Sequence, residues 1–239
     1  MGGRSSLALS AAIVVIVGPT PFAVPADAAV AVSRFAVTPS TTQAGGHPTL
    51  EVAVAFEPPT SDARAIALHL PAGLTANPRA APFCPRGRLL SDLCPLETRI
   101  GKVTLAGEAL GIQAEAQRNI YNLKPTTGQR LRLGVSLFGS FSRGGFALVL
   151  PVTSRPADGG LDMAIAGPPR EVAGYEIKIR EVDLRIQGVV RRRTKRRVQR
   201  RGLLTNPRSC QPASSLLEVF SDAPAATVTA TSVFTPTGC

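Results

Sequence analysis

The chain has 239 residues, with 27 Lys and Arg against 16 Asp and Glu, a formal charge of +11, four Cys, two His and no Trp. Twenty-two Gly and 21 Pro punctuate it and long helix-forming runs are scarce, which excludes a coiled coil or helical bundle. The basic residues are 23 Arg and 4 Lys, a bias that, with abundant Ala, Gly, Pro and Val, reads as coding by a GC-rich genome rather than as chemistry.

Taken from the start, the first 28 residues predict a cleavable secretory signal. Arg4 supplies a positive n-region, and Leu7 to Val17 is apolar except for Ser10. That run is long enough for an h-region and too short for a membrane span of ~20 residues. Pro19, Pro21 and Pro25 break any helix, and Ala26-Asp27-Ala28 is the small-x-small pattern of a cleavage site. Cleavage is expected after Ala28, followed by a short tail over 29–33. No Cys stands near the cleavage point and no other apolar run follows, so no lipid or transmembrane anchor is expected.

From residue 34 onward the pattern is that of strands. Leu50, Val52, Val54 and Phe56 alternate with Glu51, Ala53, Ala55 and Glu57, a period of two with one apolar face, and Pro58-Pro59 is expected to end the strand. Ile66, Leu68 and Leu70 make the next. Residues 79–102 read as a loop dominated by Pro82, Pro85, Pro95 and two Cys. Strands resume with Val103 and Leu105, then Leu110, Ile112 and Ala114. Leu131, Leu133, Val135 and Leu137 follow, and then Phe146, Leu148 and Leu150 across a Gly-rich turn at 139–145. Leu161, Met163 and Ile165 make another. Ile177 and Ile179 are out of phase with Val182, Leu184 and Ile186, which predicts a bulge near Glu181. Val228 and Ala230 alternate with threonines near the end. Eight or more short strands, with no sustained 3.6-residue period, predict an all-β antiparallel sandwich, immunoglobulin-like or jelly-roll-like. The expectation is a single domain over 34–239, with two smaller sandwiches in tandem as the alternative.

Cys84, Cys94, Cys210 and Cys239 are even in number in an exported chain, so two disulfides are expected. Cys84–Cys94 and Cys210–Cys239 are the preferred pairs, because near neighbours close first and each brackets a turn-rich segment. Zinc is the weaker reading, since no C-x-x-C spacing exists and only His47 and His69 could join the thiolates.

The most unusual segment is the run 191–201. Arg191, Arg192, Arg193, Lys195, Arg196, Arg197, Arg200 and Arg201 make eight of its eleven residues basic, and without them the charge falls to +3. Self-repulsion predicts a solvated hairpin loop. Its functional reading is contact with an anionic wall polymer, acidic polysaccharide or lipid headgroup. Single-stranded nucleic acid is disfavoured, because no aromatic stacking partners surround the run.

Several phrases recur in a recognisable order: Thr41-Thr42-Gln43-Ala44-Gly45-Gly46-His47-Pro48, Leu70-Pro71-Ala72-Gly73-Leu74, Asn77-Pro78, Cys84, Cys94-Pro95, Ile100-Gly101, Tyr121-Asn122-Leu123, Gly128, and Leu204-Thr205-Asn206-Pro207 leading to Cys210. The order resembles modules of large secreted actinobacterial proteins of unknown function. The Leu-Pro-Ala-Gly-Leu phrase is also similar to a turn of immunoglobulin-like repeats in bacterial surface proteins. The resemblance implies a secreted β-sandwich and carries no activity or site residues. Ala72 and Ala76 depart from the Pro and Gly of the pattern.

Catalytic constellations are thin. A nucleophilic triad needs a His oriented by a carboxylate; His47 lies in a turn and His69 on the strand face opposite Ile66, Leu68 and Leu70, and no G-x-S-x-G elbow exists. Glu108 and Glu115 are the nearest thing to a glycosidase pair, but solvated strand-face charges are the better reading. No P-loop, dinucleotide fingerprint or calcium loop is present, so no cofactor is expected. The chain therefore reads as a non-catalytic extracellular or wall-associated module with a basic loop. The alternatives are a secreted hydrolase and a carbohydrate-binding module.

Overall fold

The computed structural model describes residues 30–137, 147–166, 170–172, 175–193, 197–221 and 226–239. The expected signal segment, the Gly-rich turn at 139–145, and Lys195 and Arg196 of the basic run lie outside these. In chain order the strands are β1 (Val32–Pro39), β2 (Leu50–Thr60), β3 (Ala63–His69), β4 (Thr75–Ala76), β5 (Arg99–Ala109), β6 (Ile112–Asn122), β7 (Gln129–Ser136) and β8 (Ala147–Ser154). They continue with β9 (Leu161–Ala166), β10 (Glu171–Val172), β11 (Tyr175–Ile186), β12 (Val189–Arg193), β13 (Val198–Gly202), β14 (Leu204–Thr205), β15 (Ala213–Ser221) and β16 (Ala226–Phe234). A short helix, α1 (Arg86–Leu90), lies between β4 and β5. The protein is all-β and antiparallel, as its alternation predicts.

Among the described residues, 12 strands form one sheet in the order β1-β2-β11-β5-β6-β7-β8-β9-β3-β15-β16, with β10 beside β11. The two ends of this order meet. The Val37 N–H of β1 donates to Ser232 Oγ of β16 at 2.9 Å. Just beyond, Ala44 N–H donates to Thr237 O at 2.8 Å and Thr237 N–H to Thr42 O at 2.9 Å. The sheet is thus rolled on itself, and the two faces of the expected sandwich are halves of one continuous sheet. Its inward face carries the core: Leu50, Val52, Val54 and Phe56 of β2, Leu131, Leu133 and Val135 of β7, and Leu217 and Val219 of β15 are all buried.

Four details correct the reading of the chain. The packed body begins before residue 34, for Val30 is already buried and Val32 pairs with Phe56. Strand β2 does not stop at Pro58. Its partners on β11 move from Ala55↔Glu181 to Thr60↔Ile179, so residues 56–59 bulge out of the ladder and place the prolines where no N–H is needed. This is the slip expected near Glu181, and β5 shows it too, from Ile179↔Gly107 to Glu181↔Ala106. Leu110 is not a strand residue. With Gly111 it makes the two-residue turn between β5 and β6, both at positive φ (55° and 73°). Residues 191–201, expected as a loop, contain the β12–β13 ladder from Val189↔Gly202 to Arg193↔Val198.

Both expected disulfides form, Cys84–Cys94 with Cα atoms 5.5 Å apart and Cys210–Cys239 with 5.8 Å. The first staples α1 onto the outer face of the sheet. There Cys84, Leu89, Cys94, Tyr121 and Leu123 make a second, smaller core. Gly134 of β7 makes the approach possible, since a Cβ there would stand 2.8 Å from both Leu89 and Leu123.

The strained turn generates a test. A γ-branched residue at positive φ costs on the order of 1 kcal/mol, and Asn tolerates the conformation better. Leu110 is also largely exposed, so its side chain has little packing to lose. Leu110→Asn should raise stability by about 0.5–1 kcal/mol in urea unfolding. A destabilised variant would mean that Leu110 packs on something its exposure does not reveal.

Candidate functional site

The interior is not filled. A cavity of about 360 Å³ runs from mid-barrel toward the β5–β6 turn. Its deep wall is ordinary core: Leu68, Val135, Leu150, Met163 and Leu217. Its origin lies in the opposite wall. The inward register of β5 and β6 pairs Gly107 with Ala114 and Leu105 with Ala116, and β11 sets Ile179 against Gly107. Small side chains in these positions leave unfilled the space that Leu or Val would occupy. Protein interiors tolerate few voids larger than a water molecule, and small-molecule pockets begin at ~300 Å³.

The cavity is open toward the tip of the β5–β6 hairpin, where its lining residue Ala114 is exposed. Among the described residues, β6 pairs with β7 at Ile120↔Val135, Tyr121↔Gly134 and Asn122↔Leu133. Ala114 is exposed although its register points inward. Leu110 and Ile112 stand exposed at the tip of the same hairpin. The outward register carries Lys102, Gln113, Glu115 and Gln117, all exposed, so the outer surface here is polar and the inner one apolar. Glu108 and Glu115 sit on that outward register, with Ala106 opposite Glu115 and Gln113 opposite Glu108.

Arg118 breaks the apolar inner pattern. It lies opposite Val103, in register with Ile112, Ala114, Ala116 and the fully buried Ile120, and it lines the cavity. Its Nε donates to Leu137 O at 3.4 Å and its Nη1 to Gln117 O at 3.0 Å.

The two histidines serve elsewhere. The Nδ1 of His47 is 2.8 Å from Leu204 O, which requires that nitrogen to carry the proton. The ring packs on Gly202, where a Cβ would come within 2.4 Å of it. His69 lies on the outer face of β3 between two carboxylates, Nδ1 to Asp162 Oδ1 at 2.9 Å and Nε2 to Glu218 Oε2 at 3.3 Å. Asp162 also accepts from Arg155 Nη1 at 2.5 Å, and Arg155 forks onto Asp158 through Nε and Nη2, both 2.9 Å. With both ring nitrogens directed at carboxylates, His69 has no nitrogen free to act as a base toward a nucleophile.

The basic run is placed at the other end of the barrel. It follows Ile186, where β11 leaves the sheet beside Leu50 and Gly101. Arg191 and Arg200 are cross-strand partners. Together with Arg99, Gln187 and Glu97 they line a polar depression between the hairpin and the turn Leu96–Thr98. Arg191, Arg197 and Arg200 are exposed, Arg192 and Arg201 half-buried, and Arg201 Nη2 donates to Gln199 Oε1 at 2.9 Å.

The two site features that residue-by-residue reading missed are the cavity and Arg118. The available signal was an apolar strand pair whose inward positions turn small over Gly107, Ala109, Ala114 and Ala116. Among the described residues no helix is long and apolar enough to cross a membrane, and no group of His, Cys, Asp and Glu is placed to hold a metal. Comparison with known proteins finds no matching family model, no matching curated protein and no matching solved structure.

The His69 cluster predicts a pH dependence. Burial alone would lower the imidazole pKa, but the hydrogen bonds and charges of Asp162 and Glu218 outweigh it and raise the value above 6.5. A raised folded pKa means stability that is full below pH 6.5 and lost as pH climbs through the folded value. The fork from Arg155 and the Gly160 N–H hold Asp158 below 3.8, so its contribution persists down to acid pH and disappears only beneath that. The melting temperature should therefore decline from pH 5.5 to 8.5, and His69→Gln should flatten that decline. Superimposable pH profiles for the two proteins would rule out the charged pairing.

Proposed function

We propose that the protein is an exported binding protein that holds an apolar chain inside its barrel, and not an enzyme. One observation carries this reading: an apolar cavity of about 360 Å³ open toward the β5–β6 turn, in a sheet whose other inward positions are well packed. A void left empty forfeits both dispersion contacts and hydrophobic transfer energy, so a sequence that sets Gly and Ala along one wall gives up stability unless the space is used. The deep wall offers no charged group, which selects for hydrocarbon. Export is supported by the signal pattern of residues 1–28, by the two disulfides, and by burial of Val30, the second residue after the expected cleavage point. N-terminal sequencing of exported protein should begin at Ala29 or Val30.

Filling the cavity tests the reading. The uncharged probe N-phenyl-1-naphthylamine should gain fluorescence with the wild-type protein and bind at least tenfold more weakly to Ala114→Leu/Ala116→Leu. The filled variant should melt no lower than wild type, because the new side chains replace a void. If wild type leaves the probe dark, or the filled variant binds it equally well, the cavity is not a binding site.

A second reading concerns the other end of the molecule. Two arginines directly opposite each other on a hairpin repel, and Arg99 adds a third guanidinium to the same depression. The arrangement favours a bound anion, and in an exported protein the fitting partner is an anionic wall polymer or polysaccharide. Exposed cations act over a Debye length of ~8 Å at physiological salt, so retention on heparin should fall steeply with salt. Arg191→Thr/Arg200→Thr keeps strand-forming residues and should elute at clearly lower salt with an unchanged melting temperature. Elution at the wild-type position would reduce the hairpin to a solvated ladder.

A further inference from the structure

We propose that the end of the barrel formed by the β12–β13 hairpin and the Leu96–Thr98 turn docks on an anionic lipid bilayer, its exposed aliphatic side chains entering the interface and its guanidinium groups holding lipid phosphates. The inference rests on the anion-binding reading of the hairpin and specifies the partner. Charge alone fits a wall polymer, whereas charge joined to exposed hydrocarbon fits a bilayer.

Exposed hydrocarbon is concentrated on one short segment. Among the described residues nine large apolar side chains stand exposed, and four of them, Phe83, Leu90, Leu93 and Leu96, lie inside the Cys84–Cys94 loop or within two residues of it. Single apolar residues on a surface need no explanation, but a cluster does. Leu93 is 68% exposed and Leu96 72%. Leu96 is also held in place. Cys94 on one side of it is buried and disulfide-bonded, and Thr98 on the other is buried. The Thr98 N–H and Oγ1 both donate to Pro95 O, at 2.9 and 2.6 Å. The chain is thus fixed on both sides of a leucine that it presents to water, so little backbone order would be lost when that leucine is covered.

The hairpin sets charge beside this leucine. Cross-strand partners share a face of a ladder, so Arg191 and Arg200 lie on one face, and Val198, two residues before Arg200, lies on the same one. Val198 is 59% exposed, whereas Val190 on the opposite face is buried. Leu96, Arg99, Arg191 and Arg200 line one depression, with Glu97 as the single carboxylate in that lining. A soluble polyanion would use the three guanidinium groups and leave Leu93, Leu96 and Val198 in water. A bilayer uses both sets. Its phosphates lie at headgroup level, where a guanidinium fork pairs with two oxygens, and its acyl chains begin immediately beneath, where leucine and valine are taken out of water.

The experiment adds vesicles of phosphatidylcholine alone, or of an equimolar mixture with phosphatidylglycerol, to the full mature protein and measures cosedimentation. Wild type should bind the mixed vesicles about tenfold or more tighter than the neutral ones. Leu93→Ser/Leu96→Ser should bind the mixed vesicles about tenfold more weakly than wild type. The same variant should elute from heparin at the wild-type salt, which also shows that it is folded. Arg191→Thr/Arg200→Thr should lose affinity for both. The chain has no tryptophan, so Leu96→Trp carries a single reporter. Its emission should shift to the blue on mixed vesicles and stay unchanged with heparin. Failure of wild type to bind mixed vesicles overturns the bilayer assignment and leaves a polyanion as the partner. So does equal binding by the leucine variant, or a tryptophan that stays in water on vesicle-bound protein. If heparin does not retain wild type at all, the hairpin reading has failed instead.

Discussion

Closure of the sheet governs everything else in this molecule. An open sheet of this size would leave β1 and β16 with rows of unpaired N–H and C=O groups, and its apolar face would need a second layer to cover it. Here the two edges come together, and the sheet covers its own face. The seam is held by the Val37 N–H on Ser232 Oγ and by the backbone bonds of Thr42 and Ala44 with Thr237. Because the interior is enclosed by one sheet, its size follows from side-chain volume on the inward register. Where that register is Leu, Val and Ile the wall is packed, and where it is Gly107, Ala114 and Ala116 the wall stands back.

The end opposite the cavity is closed by two buried amides. The Nδ2 of Asn206 donates to Thr41 O at 2.8 Å and Gln43 O at 3.0 Å, which clamps the 41–48 turn against the β14 segment. The Nδ2 of Asn122 donates to Pro78 O at 2.9 Å and Ala81 O at 3.0 Å, which holds the chain leading into Cys84. Both amides are almost fully buried. Their orientation is set by the cluster of carbonyls, for an amide turned the other way would face oxygen with oxygen. These residues belong to the Tyr-Asn-Leu and Thr-Asn-Pro phrases that stand out in the sequence. Their physical role is to join loops distant in the chain, so such phrases report on loop architecture and carry no information about a ligand.

That distinction explains what could be read in advance. Alternation exposed β2, β7 and the out-of-phase halves of β11, because each buries branched apolar residues on one face. Cysteine spacing exposed the disulfides, because both pairs close local segments. Strand β15 went unread: Ser215 and Ser221 occupy buried inward positions and interrupt the apolar alternation. The length of β2 went unread because its prolines sit in a bulge. The basic run suggested a loop because charge density argues for exposure, and an exposed two-stranded ladder satisfies that argument equally well. The cavity was the least legible feature, since a void is written in the sequence only as small residues on a face whose facing direction must already be known.

The positions of the cavity and the basic hairpin constrain each other. Strand β11 passes the cavity opening near Ile177 and leaves the sheet at Ile186, three residues before the hairpin begins. At ~3.3 Å per residue the opening is about 30 Å along β11 from the end of that strand. A polyanion held by Arg191 and Arg200 would therefore lie several Debye lengths from that opening and would not obstruct the entry of a chain. The two ends can be occupied independently, one fixed to a charged surface and the other open toward the surrounding medium. The exposed Leu110 and Ile112 then fall on the free end, beside the opening, where an incoming hydrocarbon chain first meets the protein.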